Sequence, residues 1–251
     1  MMLEIACVSD VGLVRENNED IAVAARTYVR DGVLSSVEPV DPVMPTVLGV
    51  ADGVGGSNAG EVASRFVLEQ LALGIHTLDG ELDPDALDDR VRRICAEAHQ
   101  GLLRKGLTGP RFEGMATTAT LLFTYRGSWY VAHAGDSRCY HATGGRLRQL
   151  SRDHTLREFT GNPKIPGNIL VNCFGTQDEF FIDFFRVCDQ CEEGEIFLLC
   201  SDGLSDMVSN DTILTTLTDE PDVASAAQEL VSAAKESGGR DNITLVVARV
   251  L

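Results

Sequence analysis

The sequence predicts an α+β protein, and three observations carry that expectation. Strand-like apolar runs cluster, above all between residues 117 and 142. Helical spacing comes as a consecutive pair of blocks, at 59–75 and 84–105, and not between successive strands. Turn-prone dipeptides join neighbouring strand runs directly, as antiparallel hairpins require. Residues 3–8 read as a first strand, followed by a turn through Gly12, and residues 20–25 as a second. Arg26–Pro45 is polar, with Pro39, Pro42 and Pro45, and reads as a long excursion between strands. Thr46–Ala51 is a buried strand. Val62, Phe66, Leu68, Leu71 and Leu73 give Ala59 to about Ile75 helical spacing, with Ser57 or Asn58 as its cap. A second helix opens near Pro84 and runs to about Lys105, with Leu87, Val91, Ile94, Ala98 and Leu102 on one face.

Strands then dominate. Thr117–Tyr125, Ser128–Ala134 and Arg138–Ala142 are linked by tight turns at Arg126-Gly127 and Gly135-Asp136. Phe180–Val187 and Glu195–Cys200 follow, then a helix over Asp222–Ser237 and a last strand over Asn242–Val250. No internal repeat or low-complexity tract interrupts the chain.

Composition narrows the function. The chain has 251 residues, 44% hydrophobic and 24% charged, as in ordinary globular proteins. Its 21 Lys+Arg against 38 Asp+Glu give a net charge of −17, which argues against nucleic acid or an anionic membrane as partner. Met1-Met2-Leu3-Glu4 lacks the basic start of a secretory signal, and no apolar run is long enough to span a bilayer. Five of seven cysteines (Cys7, Cys95, Cys139, Cys173, Cys200) lie in apolar runs, which fits a reduced, cytoplasmic chain. Cys188-Asp189-Gln190-Cys191 is a lone C-x2-C without a second pair or a nearby His, and reads as a surface turn.

The chemistry lies in six scattered segments that each place an acid in a turn-prone setting. They are Asn17-Asn18-Glu19-Asp20, Ala51-Asp52-Gly53-Val54-Gly55-Gly56, Gly135-Asp136-Ser137-Arg138, Arg152-Asp153-His154, Ser201-Asp202-Gly203-Leu204 and Arg240-Asp241-Asn242. An Asp after a strand and before a Gly stands clear of a sheet edge and can reach a hard cation. Several such carboxylates at one point repel each other unless metal joins them, so the pattern points to a polynuclear Mg²⁺ or Mn²⁺ site.

Together with Ser9-Asp10-x-Gly12-x2-Arg15, Gly114-Met115-Ala116-Thr117-Thr118 and the closing Asp241-Asn242-x-Thr244, these segments follow one order along nearly the whole chain. That order resembles the PP2C (PPM) family of metal-dependent protein serine/threonine phosphatases, bacterial type. The resemblance implies an α-β-β-α sandwich, two antiparallel sheets flanked by helices, as one domain over residues 1–251. It implies that Asp52 bridges two core Mn²⁺ or Mg²⁺ ions and that Gly53 lends a carbonyl. Asp202 and Asp241 complete one ion's shell, Glu19 serves the other, and Asp20, the neighbouring acid of the same motif, is counted among the metal residues. Asp136 with Asp202 matches a third, weaker site, and Arg15 matches the residue that grips the substrate phosphate. Two ions sharing a water lower its pKa, so that it attacks phosphorus without a cysteine nucleophile. Arg15 offers a planar fork to two phosphate oxygens.

Other polar residues read as support. Ser137, Arg138 and Arg152-Asp153-His154 hold turns, Thr117 and Thr118 start a strand under the cleft, and Asp10 and Asp206 lie near the site. His76, His99 and His133 read as satisfied structural histidines. Two departures stand out: Val54 replaces a His usual in eukaryotic members, and Ala116 replaces a Gly. The family's flap beside the site is shortened here around 155–174, where Gly161, Pro163, Pro166 and Gly167 break any helix. That segment is expected to be a non-helical loop at the cleft rim that tunes substrate choice, with Lys164 as a candidate contact. The expected partners are phosphoproteins made by eukaryotic-type Ser/Thr kinases, met by a monomer. A non-catalytic adaptor domain and a hydrolase of small phosphate esters are the rival readings.

Overall fold

The computed structural model describes residues 1–251 apart from 25, 55–58 and 178. Its elements run β1 (Met2–Asp10), β2 (Ile21–Ala24), β3 (Thr27–Val29), β4 (Gly32–Pro39), β5 (Val47–Ala51), β6 (Gly53–Val54), α1 (Gly60–His76), α2 (Pro84–Gly106), β7 (Ala116–Thr117), β8 (Ala119–Tyr125), β9 (Ser128–Ala134), β10 (Arg138–Thr143), β11 (Arg146–Gln149), α3 (Leu156–Thr160), β12 (Asp183–Cys188), β13 (Ile196–Cys200), α4 (Asp202–Ser205), α5 (Asn210–Asp219), α6 (Val223–Glu236) and β14 (Ile243–Val250).

Among the described residues the strands form two six-stranded sheets, ordered β11-β10-β13-β14-β1-β4 and β12-β9-β8-β5-β2-β3, with β6 and β7 as a separate pair. Neighbouring strands pair antiparallel throughout. Alternation along each strand sorts its side chains into two layers. Leu3, Ile5 and Cys7 of β1, Phe197 and Leu199 of β13, and Leu48 and Val50 of β5 meet between the sheets. Ala6, Val8, Leu198 and Leu245 face α6, α5 and α4 on one outer side. Val47, Leu121 and Phe123 face α1 and α2 on the other. Both faces of the central strands are therefore apolar, and the layers stack α-β-β-α.

Three local readings of the sequence need correction. Arg26–Pro45 is not an open excursion, because it holds β3 and β4. β4 is an edge strand, registered on β1 from Ser9↔Gly32 to Met2↔Pro39, with Val33 and Val37 turned outward. Backbone pairing to β1 sets that register, and an edge tolerates the terminal Pro39. Second, Thr155–Phe174 does contain a helix, α3. Its Thr155 Oγ1 accepts the Glu158 N–H at 3.3 Å, and Gly161 ends it at φ +64°. The breakers start only at Gly161, so one turn forms before them. Third, α5 escaped notice because its Thr-rich stretch has weak helix propensity; it stands because Ile213 and Leu217 pack into the core. The candidate caps Ser57 and Asn58 and the motif glycines Gly55 and Gly56 lie outside the described residues. The helix itself has Ala59 at its cap position, without a side-chain bond.

The Arg126-Gly127 turn has both residues at positive φ, 52° and 81°, as a two-residue hairpin needs. All seven cysteines are free, and five are buried. Cys188 and Cys191 sit half-buried at the end of β12, their Sγ atoms 3.0 Å apart. No helix among the described residues is long and apolar enough to cross a membrane.

Phe197 is fully buried, stacked on Trp129 at 5.0 Å and on His141 at 4.5 Å. Phe197→Ala leaves a cavity between the two sheets and should cost about 3–5 kcal/mol in urea unfolding. A loss under about 1 kcal/mol would mean that the sheets can close over the gap.

Candidate metal centre

Antiparallel pairing brings alternate strand ends to the same edge of the sandwich. Asp52 follows β5, Glu19 and Asp20 precede β2, Asp136 lies in the β9–β10 turn, Asp202 follows β13, and Asp241 precedes β14. The registers place these ends side by side. Ile21 pairs with Ala51, Asp10 with Ile243, and Arg138 with Cys200. Arg15, Glu19, Asp52, Gly53, Asp136, Asp202 and Asp241 line one cavity of about 250 Å³, together with Val54, Thr118, Asn168, Leu170 and Asn242.

Backbone bonds hold Asp52, Gly53 and Glu19. The Asp52 carbonyl accepts from Thr117 Oγ1 at 2.8 Å and from the Thr118 N–H at 2.9 Å, while its own N–H reaches Thr118 Oγ1 at 3.0 Å. Gly53 donates to the Glu19 carbonyl at 3.3 Å, and a Cβ there would collide with the Gly60 backbone. Only glycine permits that approach of loop to helix. Asn242, to which sequence reasoning gave no role, ties three segments together. Its Oδ1 accepts the Glu19 N–H at 2.8 Å, and its Nδ2 donates to the Val11 and Asn17 carbonyls at 3.0 Å each. Ser64 of α1 donates to the Glu19 carbonyl at 2.5 Å. A polar residue beside a motif acid was the only available signal for Asn242, and Ser64 had none.

Asp20 lies behind the cleft wall. It is 1% exposed, does not line the cavity, and accepts the Ser201 hydroxyl at 2.6 Å. Asp10 caps the Gly12 N–H at 2.8 Å and pairs with Lys235 at 2.5 Å, away from the cavity. Arg138 grips Asp153 through Nε and a terminal nitrogen, at 3.0 and 2.7 Å, and so braces the turn that presents Asp136. His99 stacks on Phe180 at 4.1 Å, and His76 bonds the Ala72 carbonyl at 2.7 Å.

Burial and crowding raise the pKa values of these acids. Burial first, then Asp20, Asp202, Asp136 and Asp241, raises the Asp52 carboxyl well above the usual range. Burial, then Asp202 and Asp153, lifts Asp136 to about 7. Burial, then Asp241 and Asp206, lifts Asp202 to about 6. Asp20 and Glu19 are also raised, each by burial above all. Among the described residues Arg15 is the one cation lining the cavity, and it donates to Asp241 Oδ2 at 2.7 Å. Among the described residues no three His, Cys, Asp or Glu side chains form a finished cage. The acids instead surround an opening, and their all-oxygen donors are those that Mg²⁺ and Mn²⁺ take.

The flap reaches the cavity through Asn168 and Leu170. Lys164 is exposed and lines neither this cavity nor its neighbour of about 460 Å³. That neighbour shares Asn168, Asp202 and Asp241 and brings in Arg157 of α3 and Arg240.

A family model described as protein phosphatase 2C matches residues 40–246. The chain belongs to the protein phosphatase 2C family. Serine/threonine protein phosphatase PstP of Mycobacterium tuberculosis is 34% identical over 260 residues, covering 100% of this chain and 46% of PstP. The chain thus spans about half the length of that relative. Protein phosphatase PhpP of Streptococcus pneumoniae is 30% identical over 258 residues, covering 98% of this chain and 96% of PhpP. The solved catalytic domain of PstP in complex with two manganese ions has a TM-score of 0.77 and 32% identity, with 100% of this chain and 99% of that one covered. These matches agree with the α+β sandwich.

Raised carboxyl pKa values make cation binding compete with protons. A carboxyl whose folded pKa exceeds its unfolded value loses stability for the fold as it ionises, and regains it as pH falls. Asp136 and Asp202, at about 7 and about 6, set the window. Mn²⁺ should therefore raise the melting temperature most near about pH 8, and less as pH falls towards about 6. In chelator the melting temperature should rise across the same fall. A Mn²⁺ shift that stays constant over this interval would show that these acids do not hold the cation.

Proposed function

We propose that this protein hydrolyses phosphoserine and phosphothreonine in proteins with Mn²⁺ or Mg²⁺ as cofactor. The observation that carries the reading is the cavity itself: five carboxylates and one arginine converge on a space the size of a phosphate with its ions. The names of PstP and PhpP support it, and so does the fact that the matched part of PstP is its catalytic domain with manganese.

On this reading Asp52, Asp202 and Asp241 would hold the core ions with the Gly53 carbonyl and Glu19, and Asp136 with Asp202 would hold a third. Asp20 supports them from behind through Ser201. When bound, the ions would neutralise phosphate charge and lower the pKa of the attacking water. Arg15 turns its fork from Asp241 to the phosphate oxygens and sets the phosphorus in line for attack. Thr117 and Thr118 fix Asp52 so that no reorganisation is needed as charge builds up. Cysteine takes no part: Cys173 is buried, and burial, with Asp136, pushes its thiol up to about 11. His154 is not the acid for the leaving serine, because its ring faces an internal network and not the cavity. Substrates on this reading are targets of eukaryotic-type Ser/Thr kinases, met in the cytoplasm by a monomeric domain. The charge of −17 keeps nucleic acid and anionic membranes from being partners.

Phosphopeptide turnover should need added Mn²⁺ or Mg²⁺ and stop in chelator. Asp52→Ala and Asp241→Ala should each lower kcat/KM by about 10²–10³ with the fold intact by circular dichroism. Full turnover in excess chelator would refute the proposal. Equal loss on phosphopeptide and small aryl phosphate is the expected pattern for these two variants; activity on the aryl ester alone in the unaltered protein would favour a small-ester hydrolase.

Arg15 grips the ground-state phosphate as well as the transition state. Arg15→Ala should raise KM about 10–100-fold and change kcat less. A collapse of kcat at constant KM would assign Arg15 to the transition state alone.

Replacing residues 160–168 with a Gly/Ser linker should alter relative rates among phosphopeptides and spare a small aryl phosphate, since Asn168 touches the cavity from the rim. Equal loss on both would make the segment part of the catalytic centre.

A further inference from the structure

His154 binds Gly135 twice. Its backbone N–H donates to the Gly135 carbonyl at 2.7 Å, and its ring Nδ1 accepts the Gly135 N–H at 3.2 Å. Gly135 immediately precedes Asp136 and takes φ of +120°, with the Thr118 side chain 2.5 Å from where a Cβ would stand. The far side of the turn is held as well. Ser137 Oγ meets Thr118 Oγ1 at 2.7 Å, and the Ser137 carbonyl accepts Thr120 Oγ1 at 2.8 Å. The backbone that aims Asp136 is thus bonded on both sides.

The His154 ring is itself held at both nitrogens. Nε2 meets Asp183 Oδ2 at 3.1 Å, and Nδ1 also accepts from Asn172 Nδ2 at 2.8 Å. A nitrogen that accepts from two N–H donors carries no proton, so Nε2–H is the donor to Asp183. Asn172 spends its second N–H on the Phe181 carbonyl at 2.9 Å and takes the Phe181 N–H at 3.3 Å. Both ring nitrogens of His154 and the whole Asn172 amide have partners, so displacing the ring would orphan several polar atoms at once.

The same residue closes the base of the flap. The His154 carbonyl accepts the Val171 N–H at 2.9 Å, Thr155 bridges Leu170, and Leu156 donates to the Ile169 carbonyl at 2.8 Å. These bonds lead directly to Asn168 and Leu170 at the cavity. The imidazole therefore joins the Asp136 turn to Asn172 at the flap's end and to Asp183, the first residue of β12, while the backbone of the same residue closes the flap base.

We propose that His154, oriented by Asp183 and Asn172, is a positioning residue that sets Asp136 and the flap base as one unit. The proposal rests on the reading of Asp136 as a ligand of the third, weaker cation. It makes cation affinity at Asp136 and phosphopeptide recognition by the flap depend on the same side chain.

Calorimetric titration of the whole chain with Mn²⁺ tests it, with melting temperatures recorded alongside. His154→Phe keeps a ring but removes both nitrogens, and Asp183→Ala removes the acceptor from a half-exposed side chain. Both should weaken the weak ion about 10–100-fold, as Asp136→Ala does, and leave the two tight ions within about twofold. Both should also raise KM for phosphopeptide more than for a small aryl phosphate. Asp183→Asn keeps an acceptor and should retain the weak ion. Phe197→Ala, destabilised at a distance, should bind all three ions. Weak-site affinity equal to the unaltered protein in His154→Phe and Asp183→Ala would overturn the proposal. If His154→Phe does not fold, Asp183→Ala decides alone. Retention of the weak ion in Asp136→Ala would overturn both the reading of Asp136 and the proposal. Its loss there but not in the other two would overturn the proposal alone.

Discussion

Mutual repulsion among carboxylates at one edge of the sandwich is the constraint around which the rest of the molecule is organised. Glu19, Asp52, Asp136, Asp202 and Asp241 share a cavity of about 250 Å³, in which Arg15 is the only cationic side chain among the described residues. Left to flexible loops, such acids would spread into water. Here each is tied to a strand end, and each strand end is fixed by an apolar core on both faces of its sheet. The raised pKa values of Asp52, Asp136 and Asp202 express the cost of that arrangement. Cations held by these oxygen donors would offset it, which would link stability to cation binding through the same groups.

The supporting polar residues are as specific as the acids. Asn242 joins the 11–19 loop to β14, and Thr117 and Thr118 fix both sides of the Asp52 peptide. Ser201 bonds Asp20, which stands behind Asp202 and Asp52 without reaching the cavity. These bonds are made to backbone or to buried groups, where an unmet partner is costly. Preorganisation of this kind lets a metal-assisted hydrolase place charge where the transition state needs it.

The rim of the cavity is a separate, more local structure. The segment 155–174 starts with a single helical turn, returns through a turn rich in Gly and Pro, and closes on β-bridge contacts at Thr155 and Leu170. Its tip can vary without moving the core strands. Its base cannot, because it meets the Asp136 turn at His154. Catalytic geometry and rim shape thus have different tolerances within about twenty residues of chain.

Much was legible in the sequence. The central strands β1, β5, β8, β9, β13 and β14 and the helices α1, α2 and α6 are two-sided apolar runs or long amphipathic repeats, and local pattern suffices for them. The acids were legible as well, because Asp next to Gly after an apolar run is a local signal repeated along the chain. β4 was not, since its alternation puts Val33 and Val37 outward, and only pairing with β1 makes it a strand. α5 was not, since Thr-rich helices depend on what they pack against. Nor were Ser64, Asn172 and Asp183, which act on residues between 9 and 45 positions away. The sequence by itself determined the central strands, the long helices and which acids stand at strand ends, because these are properties of neighbouring residues. Tertiary structure decided that Asp20 stands behind the cleft and that His154 faces inward, because those outcomes depend on bonds between segments that meet only when the two sheets close.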